Sequence, residues 1–86
     1  MMTFDELNFK YLPGTGGGRQ AIVSFPNGYG ASIVRGSYTY GGSEGLYELA
    51  VLKDGHICYD TDITQDVIGW LNSDDVTRLL KLIEVL

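Results

Sequence analysis

The chain has 86 residues, with eleven acidic and six basic side chains and a net charge of −5. This length supports one small hydrophobic core, so we predict a single domain over residues 1–86. The negative charge opposes binding to nucleic-acid phosphates and to anionic lipid, so direct nucleic-acid and membrane partners are excluded, whereas a protein with a basic surface suits it.

A strand is predicted over residues 7–12, followed by the glycine-rich segment PGTGGGRQ over residues 13–20. That segment looks like a phosphate-binding loop, but a P-loop needs Lys and then Ser or Thr after its last glycine, where Arg19 and Gln20 stand. A looser G-x-G-x-x-A spacing begins at Gly16, yet that motif needs a helix to follow it. A strand is predicted instead, so we interpret the segment as a connection between strands.

The first hairpin signal joins apolar runs at residues 21–25 and 31–34 through Pro26-Asn27-Gly28. Proline supplies the fixed φ of the first central position of a type I turn, and Gly28 suits a left-handed bulge residue. In this register one face of the hairpin is apolar. Its residues are Ala21, Val23, Phe25, Tyr29, Ala31 and Ile33.

The same register places Arg19 opposite Arg35. Like charges directly opposite each other on a sheet are destabilising. We therefore expect an acidic group near this pair, within the chain or on a partner.

The second hairpin signal joins residues 46–52 to residues 56–60 through Lys53-Asp54-Gly55, and the same bulged turn is predicted. It places Glu48 opposite Asp60, an unfavourable pair. It also predicts an apolar face, which consists of Tyr47, Leu49, Val51, Ile57 and Tyr59.

The pattern changes after Thr61. Residues 64–71 are interpreted as a short helical turn capped by Thr64, and Ser73 is predicted to cap a longer C-terminal helix. Apolar residues recur along that helix at helical spacing, and they are Val76, Leu79, Leu80, Ile83 and Leu86. The predicted fold is α+β, an antiparallel meander of four or five strands with the C-terminal helix packed on one face.

His56, Cys58 and Asp60 alternate along one predicted strand and could share a face. Residues two apart on a strand are separated by about 7 Å, and Glu48 is the only further ligand candidate. We interpret the group as an exposed hairpin face and predict no metal, cofactor or catalytic residue. The alternative is a metal-binding or small enzymatic domain centred on these residues.

The segment over residues 36–45 is the better functional candidate, because tyrosine gives stiff contact area and Ser and Gly give adaptable backbone. Trp70 is either core or, if its side chain is partly exposed, an interface anchor. An edge strand could also pair with a second copy to form a homodimer. The predicted partner-binding residues are Tyr38, Tyr40, Glu44, Glu48, Asp60, Asp62 and Trp70.

Cys58 is the only cysteine, which excludes an internal disulfide and favours a reducing compartment. The first residues are acidic where a secretory signal would be basic, and no apolar run approaches the roughly 18 residues of a membrane span. A soluble protein that stays in the compartment of its synthesis is expected.

Three strings, NGYGASIVR, LYELAVL and YDTDITQDVIGWL, resemble a group of small proteins encoded by tailed bacteriophages and prophages. The resemblance covers roughly residues 20–86, and it implies a phage protein made in the host bacterial cytoplasm, with no catalytic residue to carry over. By analogy of type, it suggests a non-enzymatic accessory protein that acts by protein binding, such as an anti-CRISPR-like inhibitor of a bacterial defence system. A structural phage component is the further alternative.

Overall fold

The computed structural model describes residues 2–14, 16–64 and 66–86. These residues form six strands and one α-helix: β1 (Lys10–Tyr11), β2 (Arg19–Ser24), β3 (Tyr29–Arg35), β4 (Tyr47–Lys53), β5 (His56–Ile57), β6 (Val67–Leu71) and α1 (Ser73–Glu84). Two short 3-10 helices span Phe4–Glu6 and Gly42–Glu44. The strands form one antiparallel sheet in the order β1-β2-β3-β4-β5, with β6 also paired to β4. The predicted α+β meander with a C-terminal helix is therefore confirmed.

The hairpin between β2 and β3 has the predicted register, with Val23 opposite Ala31. The Phe25 N–H donates to the Tyr29 carbonyl over 2.7 Å, and Gly28 has the left-handed φ of 87° that a bulge residue needs. Arg19 and Arg35 lie opposite each other, as the same register requires. Of the segment PGTGGGRQ, the described residues up to Gly18 lie between β1 and β2, so their interpretation as an inter-strand connection holds, whereas Arg19 and Gln20 already belong to β2.

The predicted register of the second hairpin is wrong. Lys53 is paired with His56, and both residues between them have positive φ, 51° at Asp54 and 84° at Gly55. This is the geometry of a two-residue type I′ turn, which shifts the register by one residue and exchanges the two faces. Ile57 is consequently exposed instead of facing the core.

Tyr59 is also exposed, and the predicted opposition of Glu48 and Asp60 does not occur, because β5 ends at Ile57. The short helix predicted over residues 64–71 is wrong as well: residues 67–71 form β6. Val67 and Ile68 are β-branched, which favours a strand, and both pair with β4. The helical spacing of this run is weak and is interrupted by Gly69, so the strand is the more stable structure.

The outer edge of β4 is shared by two strands. β5 pairs with Leu52 and Lys53, whereas β6 pairs with the half of β4 from Tyr47 to Ala50. The chain between them leaves the sheet and returns to the same edge in the same direction. β5 and β6 are thus two pieces of one interrupted edge strand.

Helix α1 packs its apolar stripe against the sheet, with Val76, Leu79, Leu80 and Ile83 buried. Leu86, predicted to continue the stripe, is 43% exposed, because the helix ends at Glu84.

The predicted cap of α1 at Ser73 is one residue late. Asn72 is the N-cap: its side chain accepts from the Asp75 N–H at 2.8 Å, and Asp75 accepts in return from the Asn72 N–H at 3.1 Å.

Contacts between distant parts of the sequence connect the N-terminal segment to the first half of α1 and the β2–β3 turn to its C-terminal end. Phe4 lies against the ring of Tyr47 at a centroid distance of 5.0 Å, and its N–H donates to Thr77 Oγ1 at 2.9 Å. The Asn27 side chain donates from the β2–β3 turn to backbone carbonyls at the end of α1, including that of Ile83 at 3.0 Å. Strand β1 has only two residues of the predicted 7–12 strand, and Leu7 and Phe9 before it pack against the core.

Candidate functional site

Three of the predicted partner-binding residues, Tyr40, Glu48 and Trp70, come together where the β3–β4 connection meets β6. The Trp70 N–H donates to the Tyr40 carbonyl over 3.1 Å. The Tyr40 N–H donates in turn to Glu48 Oε2 over 2.8 Å. Tyr40 is therefore fixed through both of its backbone polar groups, while its side chain is 61% exposed.

Trp70 has an unusual backbone conformation. Its φ of 60° lies in the left-handed region, which bulky side chains rarely adopt, and it sits where the pairing of β6 with β4 changes register. Its side chain is nevertheless 58% exposed, so burial of the indole does not explain the conformation. Strained residues of this kind concentrate at functional sites.

Two glycines allow the close approach that builds this site. A Cβ at Gly69 would overlap the Cβ of Tyr40, and a Cβ at Gly41 would lie 3.2 Å from Cε3 of Trp70. The indole thus rests over the backbone of Gly41. The sequence contained a signal for this, a glycine directly before the only tryptophan, but its role was not predicted.

Tyr38 and Glu44 lie in the same connection but outside this contact. Tyr38 is 81% exposed, with its ring edge beside Gly16, and the neighbouring Ser37 hydroxyl donates to the Gly16 carbonyl at 3.0 Å. Glu44 is exposed at the end of the second 3-10 helix. These residues adjoin the glycine-rich segment, whereas Tyr40 adjoins β6.

Asp60 and Asp62 are exposed in the segment between β5 and β6. The Cys58 thiol donates to Asp60 Oδ1 at 2.9 Å and is half buried, packed against the core. Glu48, the one further ligand candidate of the alternative metal-binding interpretation, accepts a hydrogen bond from the Tyr40 N–H instead. Among residues 2–14, 16–64 and 66–86, no group of three or more His, Cys, Asp or Glu side chains is arranged to hold a metal ion.

None of the helices in the described part of the chain has the length and hydrophobicity that crossing a bilayer requires.

Comparison of this chain with protein-family models, with curated proteins and with solved structures finds no match.

Proposed function

We propose that this protein acts without catalysis, by binding a bacterial protein that carries a basic surface, and that Tyr40 and Trp70 form the centre of the contact. The observation that carries the proposal is Trp70, a strained and exposed tryptophan beside an exposed tyrosine. Tryptophan and tyrosine are the residues most often found at the energetic centre of protein interfaces.

The arrangement is suited to binding because it is fixed before a partner arrives. The two backbone hydrogen bonds at Tyr40 and the contact of the indole with Gly41 restrict the loop and the edge strand together. A preorganised surface loses less conformational entropy when it binds, so more of the contact energy contributes to affinity.

The charge supports a basic partner. The chain carries a net charge of −5, and Asp60, Asp62 and Glu44 are exposed. Exposed acidic side chains accelerate association with a positively charged surface and select against acidic ones.

The resemblance to small phage proteins supplies the setting of this proposal: a phage accessory protein in the host bacterial cytoplasm, of the kind that inhibits a defence system by occupying a surface used by nucleic acid. A net negative charge is what such a surface would attract.

The test is affinity capture from bacterial lysate with four tagged proteins: wild type, Trp70→Asn, Tyr40→Ser and the control Tyr11→Ser. Tyr11 is an exposed tyrosine on β1, at the opposite edge of the sheet, so its replacement removes a similar amount of exposed aromatic area. We expect a protein that is retained by wild type and by Tyr11→Ser, lost from the other two variants, and released by salt. Retention of the same proteins by all four, or of none by wild type, would refute the proposal.

A further inference from the structure

A cleft of about 480 Å³ opens where β2 begins and β3 ends, and neither Tyr40 nor Trp70 is among its lining residues. Its floor continues the core-facing side of β2 and β3, and its walls are Gly16 and Gly17 on one side and the β3–β4 connection on the other. Backbone at four glycines contributes to the lining. The side chains that line it are Phe9, Arg19, Arg35, Ser37, Ser43 and Tyr47.

The cleft is positively charged in an acidic protein. Arg19 and Arg35 are directly opposite each other, and none of the described residues lining the cleft is acidic. The one ion pair among the described residues joins Arg78 to Asp75 on α1, so neither arginine of the cleft is neutralised by a carboxylate there. No carboxylate of the described residues therefore forms the ion pair that was expected at these arginines.

This pair has a cost in the free protein, because like charges directly opposite each other destabilise a sheet. Arg35 is partly accommodated by the Tyr47 ring, whose centroid lies 5.8 Å from its Cζ atom. An anion bound between the two guanidinium groups would remove the repulsion, so the site favours an anionic ligand.

The walls of the cleft are held in place around the arginines. The Ser37 hydroxyl donates to the Gly16 carbonyl and joins the two walls, and a Cβ at Gly16 would lie only 2.8 Å from the Cβ of Ser37. Gly42 approaches the carbonyl of Gly36 so closely that a Cβ there would overlap it. Glycine at position 16 permits the packing of one wall against the other, and glycine at position 42 permits the close folding of the β3–β4 connection on itself.

We propose that this cleft binds a small organic phosphate, with the phosphate group between Arg19 and Arg35 and the organic part against Phe9 and Tyr47. Guanidinium groups match the geometry of phosphate oxygens, and a hydroxyl at Ser43 adds a donor that has no hydrogen-bond partner among the described residues. The cleft lies within the roughly 300–1,000 Å³ typical of ligand sites, which is more room than a phosphate ion needs.

This mode differs from that of a P-loop. Strand β2 begins at Arg19, directly after the glycines, so the glycine-rich segment does not lead into an α-helix as a P-loop does, and arginine side chains supply the positive charge. The glycines bring the wall close instead of providing a phosphate cradle.

The test is an NMR titration of the whole protein with phenyl phosphate, inorganic phosphate and benzyl alcohol. We expect saturable binding of phenyl phosphate, about tenfold weaker binding of inorganic phosphate, which lacks the ring, and no binding of benzyl alcohol, which lacks the charge. The amide shifts should concentrate at Gly16, Gly17, Gly36 and Gly42. Shifts concentrated elsewhere, or no saturation by phenyl phosphate in the millimolar range, would overturn the proposal.

Three variants with the same chemical change complete the test: Arg19→Gln, Arg35→Gln and the control Arg78→Gln, which lies on α1 outside the cleft. We expect binding of phenyl phosphate to weaken by about tenfold or more in the first two and to be unchanged in the control. Arg35→Lys keeps the charge and checks that any loss at Arg35 does not come from disturbed packing on Tyr47; it should retain part of the affinity. Equal binding by all variants would overturn the proposal.

Discussion

Trp70 and Tyr40 are joined through their backbones, the N–H of Trp70 donating to the carbonyl of Tyr40 over 3.1 Å. This bond links the edge strand β6 to the β3–β4 connection, two segments that are 30 residues apart in sequence. Both side chains are left exposed. The position of each aromatic ring therefore depends on the other segment.

Replacement of Gly69 by alanine should break this link. The added Cβ would overlap the Cβ of Tyr40, so one segment must move, and we expect a loss of about 1–3 kcal/mol in the free energy of unfolding. Because Trp70 is the only tryptophan, its fluorescence in the folded state should change too. Urea unfolding and emission spectra measure both effects.

Gly55→Ala is the control for that experiment. Gly55 has open space around it but a φ of 84°, so alanine there introduces backbone strain without overlap. It should lower stability while leaving the folded-state emission of Trp70 unchanged. An unchanged emission spectrum in Gly69→Ala would show that Tyr40 and Trp70 are not coupled as described.

Replacement of Trp70 by asparagine should have little effect on stability. The left-handed conformation costs most residues about 1–2 kcal/mol, but asparagine tolerates it. The backbone strain that the substitution relieves therefore offsets the lost contact between the indole and Gly41. We expect the free energy of unfolding to stay within ~1 kcal/mol of wild type in urea. A loss of more than ~2 kcal/mol would identify the indole as a structural residue instead of a binding residue.

Replacement of Asn27 should destabilise the protein through the end of α1. Asn27→Ala removes the donor to the last helical carbonyls, and we expect a loss of about 1–2 kcal/mol. Asn27→Asp keeps the acceptor for the Tyr29 N–H but places a negative charge at the negative end of the helix dipole. It should be at least as destabilising as alanine in urea unfolding, and wild-type stability in Asn27→Asp would contradict this role.

Replacement of Asn72 and Ser73 distinguishes the observed helix cap from the predicted one. Asn72→Ala removes the reciprocal hydrogen bonds with Asp75 and should cost about 1 kcal/mol. Ser73→Ala changes the first helical residue and should stay within ~0.5 kcal/mol of wild type. The opposite order of the two thermal unfolding midpoints would restore Ser73 as the cap.

Local chemistry decided which parts of the fold could be predicted. Pro26 restricts one φ angle and left a single reasonable register for the first hairpin, so the opposition of Arg19 and Arg35 followed correctly. Asp54-Gly55 has no such restriction. Aspartate tolerates positive φ, and a two-residue turn displaced the bulged turn that the apolar pattern favoured.

The candidate site was predicted only in its composition. Tyr40, Glu48 and Trp70 could be named as separate residues, but their contact depends on β6, which was interpreted as a helical turn. A run of eight residues with two apolar pairs has no clear period, and only its long-range pairing with β4 makes it a strand. The opposition of Arg19 and Arg35 in the cleft, by contrast, required only the first hairpin register.

The interrupted edge strand has a consequence for association between molecules. A continuous exposed edge would offer its backbone to another sheet. Here the edge consists of two residues of β5, a gap where the chain leaves the sheet, and five residues of β6 that are interrupted by the bulge at Trp70. Neither piece presents a long, flat row of unpaired backbone groups. Natural sheets use short edge strands and bulges in this way to prevent edge-to-edge aggregation. Strand pairing between two copies would therefore have to use the opposite edge, where β1 covers only Arg19 and Gln20 of β2.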